Sequence, residues 1–445
     1  MERNYSTVEI TKKGERALRG GHPWVFEGEV TRTDADIADG ALVDVLSDKR
    51  KYLGTGFYNS HSKIRVRVIS RNPNDRFDAA FFERRLRYAL DYRRQIMGAD
   101  YGCCRLIFGE ADMFPGLTVD RFSDILVAEV LSLGMEQRKE MLFDTLVRLL
   151  REDGETIRAL YERNESALRE REGLEKGKGF YAGSGLSTEL SGHTEITENG
   201  IRYDVDYING QKTGFFLDQK YNRQAVGRIA PGLRVLDCFT HTGAFALNAA
   251  KAGAAHVTAV DVSADAIRLA EANAARNDLS GNMDFVCADV FDLLTALAEK
   301  KRSDYDFIVL DPPAFTKSSA TVKNASRGYK EINLKAMRLL PRGGYLATCS
   351  CSHFMTDELF RTMLHDAAAD AAVQLRQIEA RQQSPDHPIL WNVPETDYLK
   401  FYLFQVVSAD AADIPPPALR QAHRFSRTDA GGRGARARAE AYAGS

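Results

Sequence analysis

Two cysteines follow an apolar run that predicts a strand, and both are candidate nucleophiles. They lie in the stretch TCSCS, residues 348–352, after the run that begins at Tyr345. An ionised cysteine is a strong nucleophile. Carbon 5 of a pyrimidine accepts a methyl group once a thiolate has added at carbon 6, and the thiolate leaves after a base removes the carbon-5 proton. A small apolar residue packed in a strand is the alternative interpretation of either cysteine.

An acid and an aromatic residue flank two prolines at the end of the preceding predicted strand. The motif is DPPAF, from Asp311 to Phe315. Two prolines fix a rigid turn, so the acid and the ring are expected to project into a cleft. We expect Asp311 to serve as a catalytic acid or base and Phe315 to stack on a flat base of the substrate. A purely structural tight turn is the alternative.

Acids recur at the carboxyl ends of four successive predicted strands: Asp237, Asp261, Asp289 and Asp311. Parallel strands bring such residues to one edge of a sheet, where ligands bind. The acid of the second strand suits a ribose diol, because a carboxylate accepts both hydroxyl protons. That assigns Asp261 to a ribose and Asp289 to an adenine amino group. A helix N-cap is the alternative for any one of them.

The loop after the first of these strands is rich in small residues but lacks a complete GxGxxG motif. It reads THTG, from Thr240 to Gly243. Less bare backbone is therefore available to hold a pyrophosphate, which disfavours NAD. We expect a nucleoside ligand without phosphates, namely S-adenosylmethionine.

Strands and helices alternate from Val235 onward, which predicts an α/β domain with a mostly parallel, doubly wound sheet. We expect four parts: a β-rich module at residues 1–75, a small central α+β domain at 76–195, the α/β domain at 196–412, and a basic, disordered tail at 413–445. In the first part, the alternation of KIRVRVI places Lys63, Arg65 and Arg67 on one strand face. That face predicts contact with a phosphate backbone, and an ordinary solvated face is the alternative.

Composition excludes several classes of protein. The chain has 445 residues and a net charge of −2, so it is no general polycation, although a local basic face is enough for RNA. Its start lacks an apolar signal segment, and no run approaches a membrane span, which predicts a cytoplasmic protein without a membrane partner. Six cysteines without a CxxC pair predict neither a disulfide scaffold nor a metal site.

Seven sequence blocks together resemble a known bacterial family. They are, in chain order, GHPWVFEGEV, FPGLTVDRF, YERNES, GQKTGFFLDQKYNR, VLDCFTHTGAFAL, DPPAF and TCSCS. The chain from about residue 8 to 407 resembles the 23S rRNA (cytosine-5)-methyltransferases that carry an N-terminal PUA domain. This resemblance implies a class I, Rossmann-like methyltransferase domain, S-adenosylmethionine as cofactor, and 23S rRNA or a large-subunit precursor as partner. A homodimer is possible.

The resemblance also implies roles for individual residues. The cofactor positions of the family fall on Lys212, Thr213, Gly214, Phe216, Asp218, Asp237, Phe239, Thr240, Gly243, Asp261, Asp289 and Asp311. The family's Ser-Cys-Ser ending falls on Cys351, which is therefore preferred over Cys349 as the nucleophile. Many cytosine-5 enzymes carry a second cysteine that helps release the product, and here that position is Ala314. Release must then use Asp311 or water.

Two other functions remain open from the sequence. The first is methylation of another rRNA atom, such as a guanine nitrogen, which does not need Cys351. The second is a non-catalytic RNA-binding factor for ribosome assembly with a vestigial cofactor fold, which predicts no binding of S-adenosylmethionine. The intact set of strand-end acids disfavours the second.

Overall fold

Three β-sheets and one separate hairpin organise the chain. The computed structural model describes residues 4–299, 304–315 and 319–407. Each of the first three predicted parts contains one of the sheets. The boundary predicted at residue 195 falls inside a strand, His193–Glu198, so the hairpin crosses it. The remaining division stays a prediction, and the predicted tail at 413–445 lies outside the described residues.

The first sheet has six strands in the order β2-β6-β5-β4-β1-β3. Its elements are β1 Ser6–Ile10, α1 Lys12–Arg19, β2 Trp24–Phe26, β3 Val30–Thr33, β4 Leu42–Leu46, β5 Tyr52–Tyr58 and β6 Ile64–Ser70. The alternation read from the sequence of β6 holds at its centre, where Val66 and Val68 enter the apolar core of this sheet.

The central sheet has five strands in the order β11-β10-β9-β8-β7, packed against the long helix α2. Its elements are α2 Ala79–Met97, β7 Cys103–Phe108, β8 Leu117–Phe122, β9 Ile125–Val130, α3 Leu133–Glu136, α4 Lys139–Glu152, β10 Ala159–Asn164, α5 Leu168–Arg171 and β11 Gly177–Phe180. Helix α2 begins at a side-chain cap, where Asp78 accepts from the backbone of Phe81. Its apolar residues recur at helical spacing and are buried under the sheet.

The hairpin and the third sheet complete the described chain. Their elements are β12 His193–Glu198, β13 Ile201–Asp206, α6 Lys220–Ile229, β14 Arg234–Cys238, α7 Ala244–Lys251, β15 His256–Asp261, α8 Ala264–Arg276, β16 Met283–Cys287, α9 Val290–Ala298, β17 Phe307–Leu310, α10 Val322–Leu339, β18 Tyr345–Ser350, α11 Asp357–Asp370, β19 Gln374–Arg381 and β20 Lys400–Val407.

The seven-stranded sheet runs in the order β16-β15-β14-β17-β18-β20-β19. Its first five strands are parallel, while β20 pairs antiparallel with both neighbours. The chain order reverses between β14 and β17, and a crevice opens outside the carboxyl ends of strands at such a point. The loop after β14 and the turn after β17 therefore meet there. Among the described residues no helix is long and apolar enough to cross a membrane.

Candidate active site

The loop after β14 is held in a conformation that few side chains adopt. Phe239, His241 and Gly243 all have left-handed backbone angles, with φ of 63°, 50° and 80°. A Cβ atom on Gly243 would lie 3.0 Å from the Cβ of Ala270 in α8, so a glycine is needed where the loop passes this helix. The loop thus closes tightly over the carboxyl end of β14, as its small residues predicted.

The carboxylate of Asp237 holds this loop in place through hydrogen bonds. Its Oδ2 accepts hydrogen bonds from Thr240 Oγ1 at 2.5 Å and from the backbone nitrogen of Ala246 at 3.0 Å. Its Oδ1 is buried and has no hydrogen-bond partner within the described chain. Burial raises the pKa of Asp237 to about 7, and the nearby charge of Asp311 adds to this shift. An unpaired carboxylate oxygen beside a second acid fits a cationic ligand.

Asp261 and Asp289 differ in the hydrogen bonds that their carboxylates already accept. Asp261 accepts from the backbone nitrogens of His241 and Ser263 at 3.0 and 2.9 Å, which fixes its carboxylate beside the loop. Asp289 is the N-cap of α9, and its Oδ1 accepts from two backbone nitrogens of the first turn. The capping role considered from sequence therefore applies to Asp289. Its adenine contact remains a prediction that uses the other oxygen, Oδ2.

The segment before α6 joins the cofactor loop to the central domain. Lys212 places its ammonium 4.9 Å from the centre of the Phe216 ring, and that ring contacts the ring of His241 at 5.2 Å. Thr213 donates to Asp120 of β8 at 2.5 Å, so its hydroxyl is committed to the central domain. Gly214 has φ 124°, and a Cβ there would lie 2.8 Å from a methyl group of Val205.

Asp218 in the same segment is a second buried acid with a free oxygen. Its Oδ2 accepts from the hydroxyl of Tyr398 at 2.6 Å, whereas Oδ1 is buried with no partner in the part of the chain that the structure describes. S-adenosylmethionine carries a sulfonium and an ammonium group, so the unpaired oxygens of Asp218 and Asp237 fit it. The cofactor residues predicted from the sequence are thus gathered around one crevice, and their individual contacts remain predictions.

Asp311 lies directly after β17, beside Asp237 and the cysteines. Its Oδ1 accepts from Gln219 Nε2 at 3.1 Å. Burial raises the pKa of Asp311 to about 7, and the charge of Asp218 adds to the shift. A carboxyl group with a pKa near neutrality is suited to proton transfer at physiological pH. Sequence reasoning did not single out Gln219, although it lies within one of the quoted blocks.

The two cysteines differ in access. Cys349 has no exposed surface and packs within β18, while Cys351 lies just past the strand and keeps part of its surface open. Burial raises the pKa of the Cys351 thiol to about 11, and the Lys212 ammonium opposes that shift. Burial and the Asp311 charge raise the pKa of Cys349 further. Of the two, Cys351 is the one that a substrate can reach.

Phe315 lies in an aromatic cluster rather than alone. Its ring centre is 4.6 Å from that of Tyr329 in α10, 5.9 Å from that of Phe291 and 6.5 Å from that of Phe239. Part of the ring remains exposed, so stacking of a substrate base on it stays a prediction. The Tyr329 hydroxyl accepts from Ser350 Oγ at 3.2 Å and thereby ties this cluster to the end of β18.

The basic face predicted on β6 requires a correction. Arg67 is buried, and its guanidinium donates to Glu110 at 3.1 Å and to Glu172 at 2.9 Å. Arg65 contacts Glu27 at 3.2 Å and the backbone carbonyl of Ser60. Of the three, Lys63 is exposed and Arg65 is partly buried. Arg67 is therefore not available to a phosphate, because acids of the central domain cover that end of the face.

Residues 382–399, between β19 and β20, were missed by sequence reasoning. They return to the site: the backbone nitrogen of Ser384 donates to the Asp218 carbonyl at 2.8 Å, and Tyr398 bonds the carboxylate of the same residue. At the start of β20, the buried ammonium of Lys400 donates to the carbonyls of Ser352 and Tyr398 at 2.6 and 2.8 Å. The sequence offered no signal for this, since the segment lacks a regular pattern.

Comparisons with known proteins agree with this geometry. Residues 8–71 match the model of a PUA-like domain, and residues 166–405 match that of an S-adenosylmethionine-dependent methyltransferase. Proteins named ribosomal RNA large subunit methyltransferase I are 38% identical in Escherichia coli O139:H28 and in Klebsiella pneumoniae strain 342. The first match covers 89% of this chain and 98% of the relative, and the second covers 91% and 99%.

Solved structures share the fold. A putative S-adenosylmethionine-dependent methyltransferase from Streptococcus mutans superposes with a TM-score of 0.75 at 22% identity, covering 90% of this chain and 99% of that one. A putative methyltransferase solved in complex with SAH gives the same values. The predicted fold class, with its PUA-like and class I methyltransferase domains, is confirmed, and S-adenosylmethionine is confirmed as the cofactor.

Proposed function

We propose that this chain, which belongs to the ribosomal RNA large subunit methyltransferase I family, methylates carbon 5 of a cytosine in 23S rRNA. The similarity to these relatives confirms the family predicted from the sequence blocks. The chain is an S-adenosylmethionine-dependent methyltransferase. The choice of atom is our inference. The observation that carries it is the position of Cys351, a partly exposed thiol at the end of β18, next to Asp311 and the cofactor crevice.

Cys351 acts as the nucleophile in this proposal. Its thiol gives its proton to solvent, the Sγ thiolate forms a bond to carbon 6 of the cytosine, and the electron pair of the 5,6 double bond moves to carbon 5. Bound S-adenosylmethionine would supply an electrophilic methyl group to carbon 5, and its sulfonium sulfur would keep the electron pair of the broken bond and leave as S-adenosylhomocysteine. The Lys212 ammonium stabilises the thiolate, because it opposes the effect of burial on the pKa of this thiol.

Asp311 handles protons in the same sequence. Once carbon 5 carries the methyl group, its remaining proton passes to the Asp311 carboxylate, the double bond re-forms, and the bond between Sγ and carbon 6 breaks. A pKa of about 7 lets Asp311 hold and release a proton near neutral pH. No second cysteine is present at Ala314, so Asp311 also serves the release step.

The test compares Cys351→Ala with Cys349→Ala. The substrate is unmodified 23S rRNA, and digested nucleosides are examined by mass spectrometry for 5-methylcytidine. We expect Cys351→Ala to lose methylation by at least about a thousandfold, because the covalent adduct is abolished. Cys349→Ala controls for the loss of a buried neighbouring thiol and keeps most activity.

The same experiment separates the alternative. If Cys351→Ala keeps full activity, the methyl group goes to an atom that needs no thiolate, such as a guanine nitrogen, and the modified nucleoside identifies it. RNA containing 5-fluorocytidine gives a direct readout, because the fluorine cannot be removed as a proton. It should trap the wild-type protein covalently through Cys351, and peptide mapping locates the bond.

A further inference from the structure

A cavity lies where the first sheet, the central domain and residues 382–399 meet. It has a volume of about 440 Å³, which is within the range of small-ligand sites. Its wall includes Arg71, Asp75, Arg85, Glu110, Leu390 and Asn392. We call it the junction cavity. The proposed chemistry at Cys351 does not use it.

The charges in the wall of the junction cavity are unbalanced. The carboxylate of Asp75 accepts from Ser70 Oγ at 2.6 Å and from Asn72 Nδ2 at 3.1 Å. The carboxylate of Glu110 is engaged by Trp24 Nε1 at 3.0 Å and by Arg67. Glu110 is thus paired with a cation outside the wall, whereas Asp75 is held by neutral donors and its charge acts on Arg85.

The two cations of the wall lack a carboxylate in direct contact, although the guanidinium of Arg85 lies 4.7 Å from the centre of the Phe81 ring. Arg71 is exposed, and Arg85 Nη1 is buried without a hydrogen bond to any described residue. Neither guanidinium lies within 4 Å of a described carboxylate in an ion pair. Burial lowers the pKa of Arg85, and the charge of Asp75 opposes that shift. A partly buried cation with an unused donor favours an anionic group as ligand.

An exposed tryptophan lies between two residues of the wall of the junction cavity. Trp391 is 93% exposed, although Leu390 and Asn392 on either side of it line the wall. The turn that carries it is well fixed: the nitrogen of Val393 donates to the Leu390 carbonyl at 2.8 Å, and Thr396 Oγ1 accepts from the nitrogen of Leu390 at 2.9 Å. A fixed turn that exposes a large ring offers a stacking surface at little cost in entropy.

Side-chain contacts connect this turn to the active site. Glu395 pairs with His22 at 3.0 Å, and the charge of His353, two residues after Cys351, reaches the same carboxylate. The ring of Phe354, which is 38% exposed, contacts that of His353 at 5.7 Å. Glu395 lies four residues after Trp391, so the turn that carries Trp391 lies close to the chain that follows Cys351.

We propose that the junction cavity and Trp391 bind an unpaired nucleotide of the RNA substrate outside the target base, with Arg85 at its phosphate and Trp391 stacked on a base. Cation and ring together match a nucleotide better than an apolar peptide. The inference rests on the proposed RNA substrate but not on the choice of carbon 5. It explains how a single-stranded segment is held while another base reaches Cys351.

The test measures RNA binding without methyl transfer. A fluorescein-labelled oligocytidine is titrated with the full chain in the absence of S-adenosylmethionine, and a duplex RNA serves as a second probe. We expect Trp391→Ala to weaken binding of the single strand by about 5- to 100-fold and to leave the duplex unchanged, because only an unpaired base offers its face. Trp391→Phe restores most of the affinity.

Arg85 has its own readout. Arg85→Gln should lower the slope of log affinity against log salt by about 0.7, the value for one phosphate contact on a single strand, and Arg85→Lys should restore it. Arg84→Gln, on an exposed face of the same helix, and Tyr88→Ala, which removes a ring 69% exposed on α2, are the matched controls. Circular dichroism checks that each variant is folded.

Three outcomes overturn the proposal. They are unchanged affinity and salt slope in folded Trp391→Ala and Arg85→Gln, equal losses in the two controls, or dissociation of a dimer by Trp391→Ala with RNA binding intact, which assigns the surface to a second copy. These experiments measure RNA binding without catalysis. Their results therefore do not depend on whether the methyl group goes to carbon 5 of cytosine.

Discussion

Asp237 and Asp311 are two acids of the site whose pKa values lie near neutrality. The strand-end rule predicted that both acids reach one edge of the sheet, and the structure places them together there. It could not predict their protonation, because that depends on burial and on neighbouring charges, Asp311 in the case of Asp237 and Asp218 in the case of Asp311. Sequence reasoning also gave Asp289 a ligand role, whereas the structure shows it capping α9 through one oxygen. Position along the chain is thus easier to predict than the state of a group.

Asp311→Asn is expected to change how stability depends on pH. A carboxyl group with a pKa of about 7 in the folded chain and near 4 in the unfolded chain holds its proton more tightly when folded. The free energy of unfolding of the wild type therefore falls as pH rises from about 4 to about 7. Removal of this buried charge should make Asp311→Asn more stable relative to the wild type at pH 8 than at pH 5, by about 1–3 kcal/mol.

Urea unfolding at the two pH values measures this difference in free energy without the cofactor. Glu271→Gln, an exposed acid on α8, is the control and should show no such change between pH 5 and pH 8. A difference of the opposite sign for Asp311→Asn would mean that the group is ionised in the folded protein. The same variant should lose methyl transfer, since an amide cannot accept the carbon-5 proton.

At the scale of elements, the antiparallel strand β20 has a function that the sequence did not reveal. The alternation of strands and helices predicted the parallel strands well, because each has a clear apolar run. Strand β20 lies beside β18, with Lys400 opposite Ser350 in the register. This pairing brings the buried Lys400 ammonium to the backbone carbonyl of Ser352, one residue after Cys351. A charge at the start of a strand gave no hint of such a contact.

Lys400→Met is expected to loosen the chain that carries Cys351. The methionine fills a similar volume but cannot bond the two carbonyls, so the thiol is less precisely placed. Small misplacements of reacting groups cost large factors in rate, and we expect kcat to fall by about 10- to 100-fold. The affinity for S-adenosylmethionine, measured by calorimetry, should stay within about twofold, because Lys400 lies outside the predicted cofactor set.

Two comparisons make this result specific. Lys330→Met removes an exposed ammonium that pairs with Asp370 at 2.8 Å and should leave kcat unchanged. Lys400→Arg keeps the charge and should recover part of kcat. Equal kcat values for Lys400→Met and the wild type would show that β20 does not hold the proposed nucleophile in place.

At the scale of the whole molecule, buried ion pairs join parts that the sequence analysis treated separately. Arg105 and Asp120 of the central sheet form a two-point pair at 2.6 and 2.8 Å, and the same Asp120 accepts from Thr213 in the cofactor segment. The backbone nitrogen of Arg105 donates to Asp386 at 2.8 Å. A charge count of 60 basic and 62 acidic residues cannot show which of them meet. That is why Arg67 was mistaken for a phosphate contact.

A substitution at Glu172 tests most directly whether buried ion pairs join the first domain to the rest of the chain. It is buried just after α5, and its carboxylate accepts from Ser62 at 2.5 Å, Arg67 at 2.9 Å and Asn59 at 3.2 Å, all in the first domain. Glu172→Gln removes the charge and leaves Arg67 with Glu110 alone. Since a buried cation then loses one of its two carboxylates, we expect the free energy of unfolding to fall by about 2–4 kcal/mol.

The loss of stability should be concentrated in the first domain. Since the three donors all come from the first domain, hydrogen exchange should rise in β5 and β6, while affinity for S-adenosylmethionine stays as in the wild type. Glu170→Gln breaks only an exposed pair with Lys176 at 3.0 Å and should cost less than about 1 kcal/mol. If Glu172→Gln matched this control, the first domain would be held by its apolar contacts alone. The expected result instead makes the buried charges the tie between the PUA-like domain and the rest of the enzyme.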